Sequence, residues 1–259
     1  MADNYLVGSE SSAFSISDLR LRFWPIVATI ALGFLVLLSA VLANNWAIRH
    51  LSTERLDSMP WLALYINHIA QLLVGLFLIA WICKGRFAEY GLQWPKGKSY
   101  ALPAIAWGVF FGVLMTVVDY LPQMLSRTPP EDLPLTASNL AGWLSFEGIF
   151  VGFAEEVPFR GLLQTYLMKR TSGRIRFLTF DMHVAGVILA LLFALAHASN
   201  FSTRPFWFAL AQQLYAFALG ILYAYWYEKS GSLLASIIGH NVGDVIEYAL
   251  LFLMIWLWR

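Results

Sequence analysis

The chain has 259 residues, 59% hydrophobic and only 13% charged, with a mean hydropathy of +0.64. Soluble domains run at about 45–50% apolar and about 25% charged, so this composition indicates a polytopic membrane protein. The net charge of +1, with no basic block, excludes a nucleic-acid partner, and a lone cysteine, Cys83, excludes an intramolecular disulfide or a cysteine-based metal site.

The first 20 residues are polar and lack the basic-then-apolar pattern of a cleaved signal peptide, so residues 1–22 read as a loose cytoplasmic tail. A membrane span needs about 20 mainly apolar residues. Such stretches run from Phe23 to Ile48, Met59 to Cys83, Leu102 to Leu125 and Leu140 to Met168. Three more follow, from Met182 to Ser199, Pro205 to Tyr227 and Ser232 to Trp258. The fold expected is all-α: a transmembrane helical bundle of seven spans, or eight if the last stretch breaks at Gly239 or Gly243. Runs of this length mean helices rather than barrel strands, because backbone groups in lipid must satisfy one another. The Lys-, Gly- and Pro-rich segments 84–100 and 126–138 read as polar connectors.

Counting Lys and Arg on alternate faces of seven spans gives eleven on the amino-terminal side and five on the other. That bias sets the amino terminus in the cytoplasm of a multi-pass protein of the cell membrane.

Ionisable groups inside spans are costly, roughly 2.5–3.5 kcal/mol each on insertion scales, and are functional candidates by default. The later spans collect Glu147, Glu155, Glu156, Arg160, His197, His240, Asp244 and Glu247, whereas the first three hold chiefly His68 and Asp119. Glu156 and Arg160 are four apart and share a helix face in the favourable order for an ion pair. Taken alone, that pair is as well explained by a structural staple between helices. Glu155 is rotated about 100° from Glu156 and is free to face something else. Pro158 has no N–H, so the carbonyl of Ala154 loses its helical partner beside the carboxylates. His240 and Asp244 also share a face, and Gly239 with Gly243 lets their helix approach a neighbour closely. His68, next to Asn67 and near Gln71, reads as an interhelical hydrogen bond, and Asp119, near a span's end, as reaching water. Glu147 is ambiguous, and Glu247 reads as a supporting or interfacial residue.

The strings "EEVPFR", "FALAH" and "HNVGD" form E-E-x-x-x-R, F-x-x-x-H and H-x-x-x-N/D in successive apolar segments. In order and placement they resemble the CPBP family, which comprises the type II CAAX prenyl proteases and the bacteriocin-processing or Abi intramembrane proteases. The resemblance covers roughly residues 138 to 250 and divides the chain into amino-terminal transmembrane helices, 23–135, and a catalytic core, 136–259. It implies an intramembrane endopeptidase acting on membrane-anchored peptides, prenylated CAAX-type or leader sequences, with the lipid bilayer as its setting. Carried over by motif, Glu155 is the base that activates water, His197 helps hold that water, and His240 with the residue four further on stabilises the oxyanion. Glu156 and Arg160 are the supporting pair. The prenyl proteases have Asn where this chain has Asp244. A carboxylate there donates only when protonated, so Asp244 is expected to orient His240 or ligate a metal, and Asn241 is a substitute donor. Glu155, His197 and His240 also suit a two-histidine, one-carboxylate zinc site. Direct activation of water by Glu and His is the alternative without a cofactor. The rival readings are a catalytically silent scaffold or regulator of the same family and a proton-coupled transporter.

Overall fold

The computed structural model describes residues 14–177 and 180–259. The tail expected over 1–22 therefore lies outside the described residues as far as 13, and Phe14–Arg20 forms a strand, β1, rather than a loose segment. Among the described residues, six helices are long and apolar enough to cross a membrane. They are Phe23–His50, Trp61–Cys83, Ala101–Ser126, Val184–Ser202, Phe206–Ser230 and Leu234–Trp258. The chain is an integral multi-pass membrane protein with an all-helical body. Large apolar side chains cover its outside, and Trp24, Trp81, Trp207 and Trp256, near helix ends, are among the most exposed. Indole rings suit the boundary between hydrocarbon and water.

In chain order the helices are α1 (Phe23–His50), the short α2 (Thr53–Ser58), α3 (Trp61–Cys83) and α4 (Ala101–Ser126). There follows an uninterrupted helical stretch that changes winding along its length. It comprises α5 (Ala137–Ser145), a π-helical segment Phe146–Phe150, α6 (Val151–Glu156), a second π segment Val157–Gln164, and α7 (Thr165–Met168). This is the region expected as the fourth span. Then come α8 (Val184–Ala196), a 3-10 turn at Ala198–Ser202, α9 (Phe206–Ser230) and α10 (Leu234–Trp258). Gly239 and Gly243 do not break α10, so no eighth span arises there.

Those glycines mark instead a close crossing of α10 on α4. A Cβ at Gly108 would lie 2.8 Å from the carbonyl oxygen of Gly239, and one at Gly112 would lie 2.5 Å from that of Gly243. Four glycines, two from each helix, let the backbones touch, which is how helices associate where lipid removes the hydrophobic drive. α4 also bends near its end, where Tyr120 leaves helical geometry just before Pro122.

The sequence reading missed a small antiparallel sheet. β1 pairs with β2 (Ser172–Phe177), which pairs with β3 (Phe180–His183). Phe14 faces Phe177, Ile16 faces Ile175, and the register shifts between Ser17 and Arg20. The sheet is fastened to α9 through Glu228, which accepts from the Arg174 side chain at 2.8 Å and from the backbone N–H of His183 at 2.7 Å. Arg174 also donates to Asp181 at 2.8 Å, and this bond holds the Asp181 carboxyl below its ordinary value. His183 caps α8: its Nδ1 accepts from the Ala185 N–H at 3.0 Å, while Nε2–H donates to the Thr171 carbonyl at 3.3 Å. Burial holds its imidazole below the usual histidine value.

Candidate active site

Glu155 and Glu156 end α6, where the second π segment begins. Pro158 supplies no N–H to the Ala154 carbonyl, and the gap is filled from another helix: Gln71 Nε2 on α3 donates to that carbonyl at 2.9 Å. α3 comes this close because Gly75 faces Pro158, where a Cβ would lie 3.2 Å from the proline Cβ. Upstream, Asn241 on α10 spans the end of the first π segment. Its Oδ1 accepts from the Gly152 N–H at 2.7 Å, and its Nδ2 donates to the Ile149 carbonyl at 3.0 Å. Asn241 does not line the cavity that Glu155 faces, and one of its two amide hydrogens is engaged here, so its place is a bracing one rather than that of the substitute oxyanion donor the sequence suggested. It holds the winding of the helix that carries the carboxylates.

The expected division between the two carboxylates is seen in their partners. Glu156 is fully buried; its Oε2 is 3.2 Å from Arg160 Nε, and its Oε1 accepts from His240 Nδ1 at 3.0 Å. The alignment at Arg160 falls short of a hydrogen bond, and the guanidinium, itself fully buried, is covered by the Phe193 ring 4.9 Å away and by Tyr223 at 6.0 Å. Charge and the ring faces, rather than paired N–H groups, neutralise this side chain.

Glu155 turns the other way, into a cavity of about 550 Å³ between the helices, which His68, His197, His240 and Asp244 also line. Its Oε1 lies 3.2 Å from His68 Nε2, and its Oε2 lies 3.8 Å from His240 Nε2. His68 therefore belongs to the site, and the interhelical hydrogen bond expected of it is made to the principal carboxylate. His68 Nδ1 bonds the Leu64 carbonyl at 2.9 Å. A carbonyl only accepts, so Nδ1 carries hydrogen, and the contact with Glu155 holds one further proton shared between ring and carboxylate. His197, the residue that ends α8, donates from Nδ1 to the Phe193 carbonyl at 2.9 Å, which leaves Nε2 as the acceptor when the ring is neutral. Phe193 packs edge-on against both His197 and His240, with centroids at 5.2 and 6.0 Å, and spaces the two imidazoles. His240 stacks on Tyr223 at 5.5 Å, and its Nε2 is 3.2 Å from Asp244 Oδ2. The imidazole is thus gripped by Glu156 at one nitrogen and Asp244 at the other, in line with an orienting role for Asp244.

All the residues singled out in the three motifs meet around this cavity or directly behind it. Asp119 is half-buried and lines the cavity, where Tyr215 Oη donates to it at 3.1 Å. Glu147 and Glu247 line the same cavity. For the zinc set of Glu155, His197 and His240 the side-chain placement gives no support. Among the described residues no three His, Cys, Asp or Glu side chains are placed to hold a metal ion. His240 Nε2 lies closer to Asp244 than to Glu155, and the near imidazole on Glu155 is His68.

Residues 137–246 match the family model described as Type II CAAX prenyl endopeptidase Rce1-like. No curated protein and no solved structure matches the chain. The matched stretch holds Glu155, Glu156, Arg160, His197, His240 and Asp244, while His68 and Gln71 lie outside it. Over those residues the chain is similar to the Rce1-like type II CAAX prenyl endopeptidase family, which is consistent with the CPBP intramembrane proteases that its three motifs resemble.

Proposed function

We propose that the protein is an intramembrane endopeptidase that cuts a membrane-anchored peptide, of prenylated CAAX or leader type, with water activated by Glu155. One observation carries the reading: a carboxylate inside the bundle faces a cavity with imidazoles on both of its oxygens, behind a buried ion pair that fixes one of them. A structural staple needs the Glu156–Arg160 pair but not the second carboxylate and two further histidines. The family match also speaks against a silent scaffold or a transporter.

In this mechanism Glu155 takes a proton from water, and His197 Nε2 accepts the water's other hydrogen bond. The water oxygen attacks the scissile carbonyl carbon, and the electron pair of the C=O bond moves to oxygen. His240, its ring held at Nδ1 by Glu156, turns its Nε2–H from Asp244 to donate to that oxyanion. The tetrahedral species collapses, the C–N bond breaks, and the proton held by Glu155 passes to the leaving amine. His68 keeps Glu155 aimed through the proton they share. Each positioned oxyanion donor of this kind is worth about 2.7–4 kcal/mol in the barrier.

Seven crossings with the amino terminus in the cytoplasm of the cell membrane complete the reading, the seventh being the stretch 137–168. Arg259 donates to Asp132 and to the Leu133 carbonyl, and Arg204 pairs with Glu131 at 3.6 Å, which supports a shared face for the α4–α5 loop and the carboxyl terminus. β1, which precedes α1, pairs with β2, which follows α7, and this supports a crossing between 136 and 172.

The test is Glu155→Gln in purified full-length protein with acyl-anchored peptides. Turnover is expected to fall to background while the peptides still bind. Cleavage at the unaltered rate rejects the assignment.

A further inference from the structure

The cavity extends well beyond the reacting groups, and its remaining charged lining is almost wholly acidic. Asp119 of α4, Glu131 of the following loop, Glu147 of the first π segment, and Asp244 and Glu247 of α10 face it, against one guanidinium, Arg204, already paired with Glu131. The mechanism uses only Asp244. Acidic lining alone indicates no ligand, but two further side chains do. Glu147 is 6% exposed and has no hydrogen-bond or ion-pair partner among the described residues. Trp143, also 6% exposed, keeps an indole N–H without an acceptor. The two are four apart and line the same cavity, with the Trp143 ring stacked at 4.7 Å on Tyr248, which adjoins Glu247.

A buried carboxylate without a donor and a buried indole N–H without an acceptor both carry an unmet desolvation cost. A peptide laid across this wall supplies both complements: a backbone carbonyl for Trp143, and a cation for the carboxylates. We propose that Glu147 and Glu247 form a subsite for a Lys or Arg side chain, so that the substrate is a membrane-anchored peptide with a basic residue near the scissile bond. The inference rests on the protease reading and names its substrate class.

The test uses the full-length Glu155→Gln protein in detergent, which binds without cutting. The probes are acetylated, acyl-anchored peptides in which one Lys is walked through a neutral sequence, each matched to a twin with Gln. Acetylation removes the amino terminus as a competing cation. At one position the Lys peptide is expected to bind about tenfold more tightly than its twin, the size of one charge-assisted contact. Adding Glu147→Gln and Glu247→Gln should bring that ratio close to one. Equal affinity at every position, or failure of every peptide to bind, overturns the inference, and so does a preference that survives the double replacement. Wild-type cleavage of the same set separates the two readings. Cutting without a basic preference rejects the subsite alone, and selective binding without cutting rejects the hydrolase alone.

Discussion

Gln71 of α3 donates to the one backbone carbonyl, Ala154, that Pro158 cannot serve, immediately before the Glu155–Glu156 pair. A proline that loosens the helix at the carboxylates is thereby clamped by a side chain from the other half of the chain. Replacing Gln71 with Leu removes the donor, and a buried carbonyl left short of its partner costs about 1–3 kcal/mol. A lower unfolding midpoint in detergent is expected, with turnover reduced further than the loss of folded protein explains. Unchanged kcat in the folded fraction would show that the clamp does not steer Glu155.

His68 shares a proton with Glu155 at 3.2 Å, so its removal should loosen the base rather than unfold the bundle. His68→Ala is expected to lower kcat about 100-fold, the penalty typical of a misplaced reacting group, with little change in KM. His68→Gln, which keeps a donor, should recover part of that loss. Steady-state kinetics on one peptide decides the matter: equal losses for both variants would mean that the imidazole is needed for more than aim.

Asn241 offers a contrast between holding the fold and doing chemistry. Its two hydrogen bonds to Gly152 and Ile149 are internal to the helix packing. Asn241→Ala is expected to cost about 1–3 kcal/mol of stability. Activity per folded molecule should fall far less than it does for His240→Ala. A stable but inactive Asn241→Ala protein would restore the residue as an oxyanion donor.

The α4–α10 crossing gives a steric prediction. A methyl at Gly112 would have to occupy space 2.5 Å from the Gly243 carbonyl oxygen. Overpacking of this kind typically costs about 1–3 kcal/mol. Gly112→Ala should lower thermal stability and, by shifting α10, weaken the His240–Asp244 contact with Glu155. Gly97→Ala has no neighbour to meet but does have a positive φ, so it separates backbone strain from helix crowding.

His183 gives the sheet a dependence on pH. Its folded value is depressed by burial, so the unfolded ring binds more protons as pH falls. Stability from this group is complete above its ordinary value of 6.5 and is lost as pH drops below it, because a protonated Nδ1 cannot accept from Ala185. Hydrogen exchange at Ser172–Phe177 is expected to accelerate as pH falls below about 6.5. His183→Asn, which can cap without titrating, should remove the change. The Asp181–Arg174 bond acts lower, holding above the ordinary carboxylate range and failing in stronger acid. Protection that is flat across the histidine range in the wild type would refute the capping account.

Six of the seven expected spans and the pairs within each motif could be read from the sequence, because hydropathy and four-residue spacing are local signals, whereas the convergence of Glu155, His197 and His240 is what the family resemblance implies. What stayed hidden depends on tertiary contact. Asp119 sits near a span's end and looks wet, and its place in the cavity wall beside Tyr215 depends on how α4 packs. His68 reads as an interhelical hydrogen bond, but the partner it finds, Glu155, and the Ala154 carbonyl served by Gln71 are set by helix packing. The strands Phe14–Arg20 and Ser172–Phe177 show a trace in the alternations "FSIS" and "RIRF", but they are too short to compete with neighbouring spans. No residue pattern announced the π segments, although Gly148, Gly152 and Pro158 punctuate them.

The matched stretch begins at 137, yet the partner of Glu155 and the clamp on Ala154 are both supplied by α3. Intact motifs and catalytic competence are consequently separable in a chain built this way. A relative could retain every motif letter yet be inert through drift in its second long helix, and a truncated version would look complete by alignment while missing half of what aims its carboxylate.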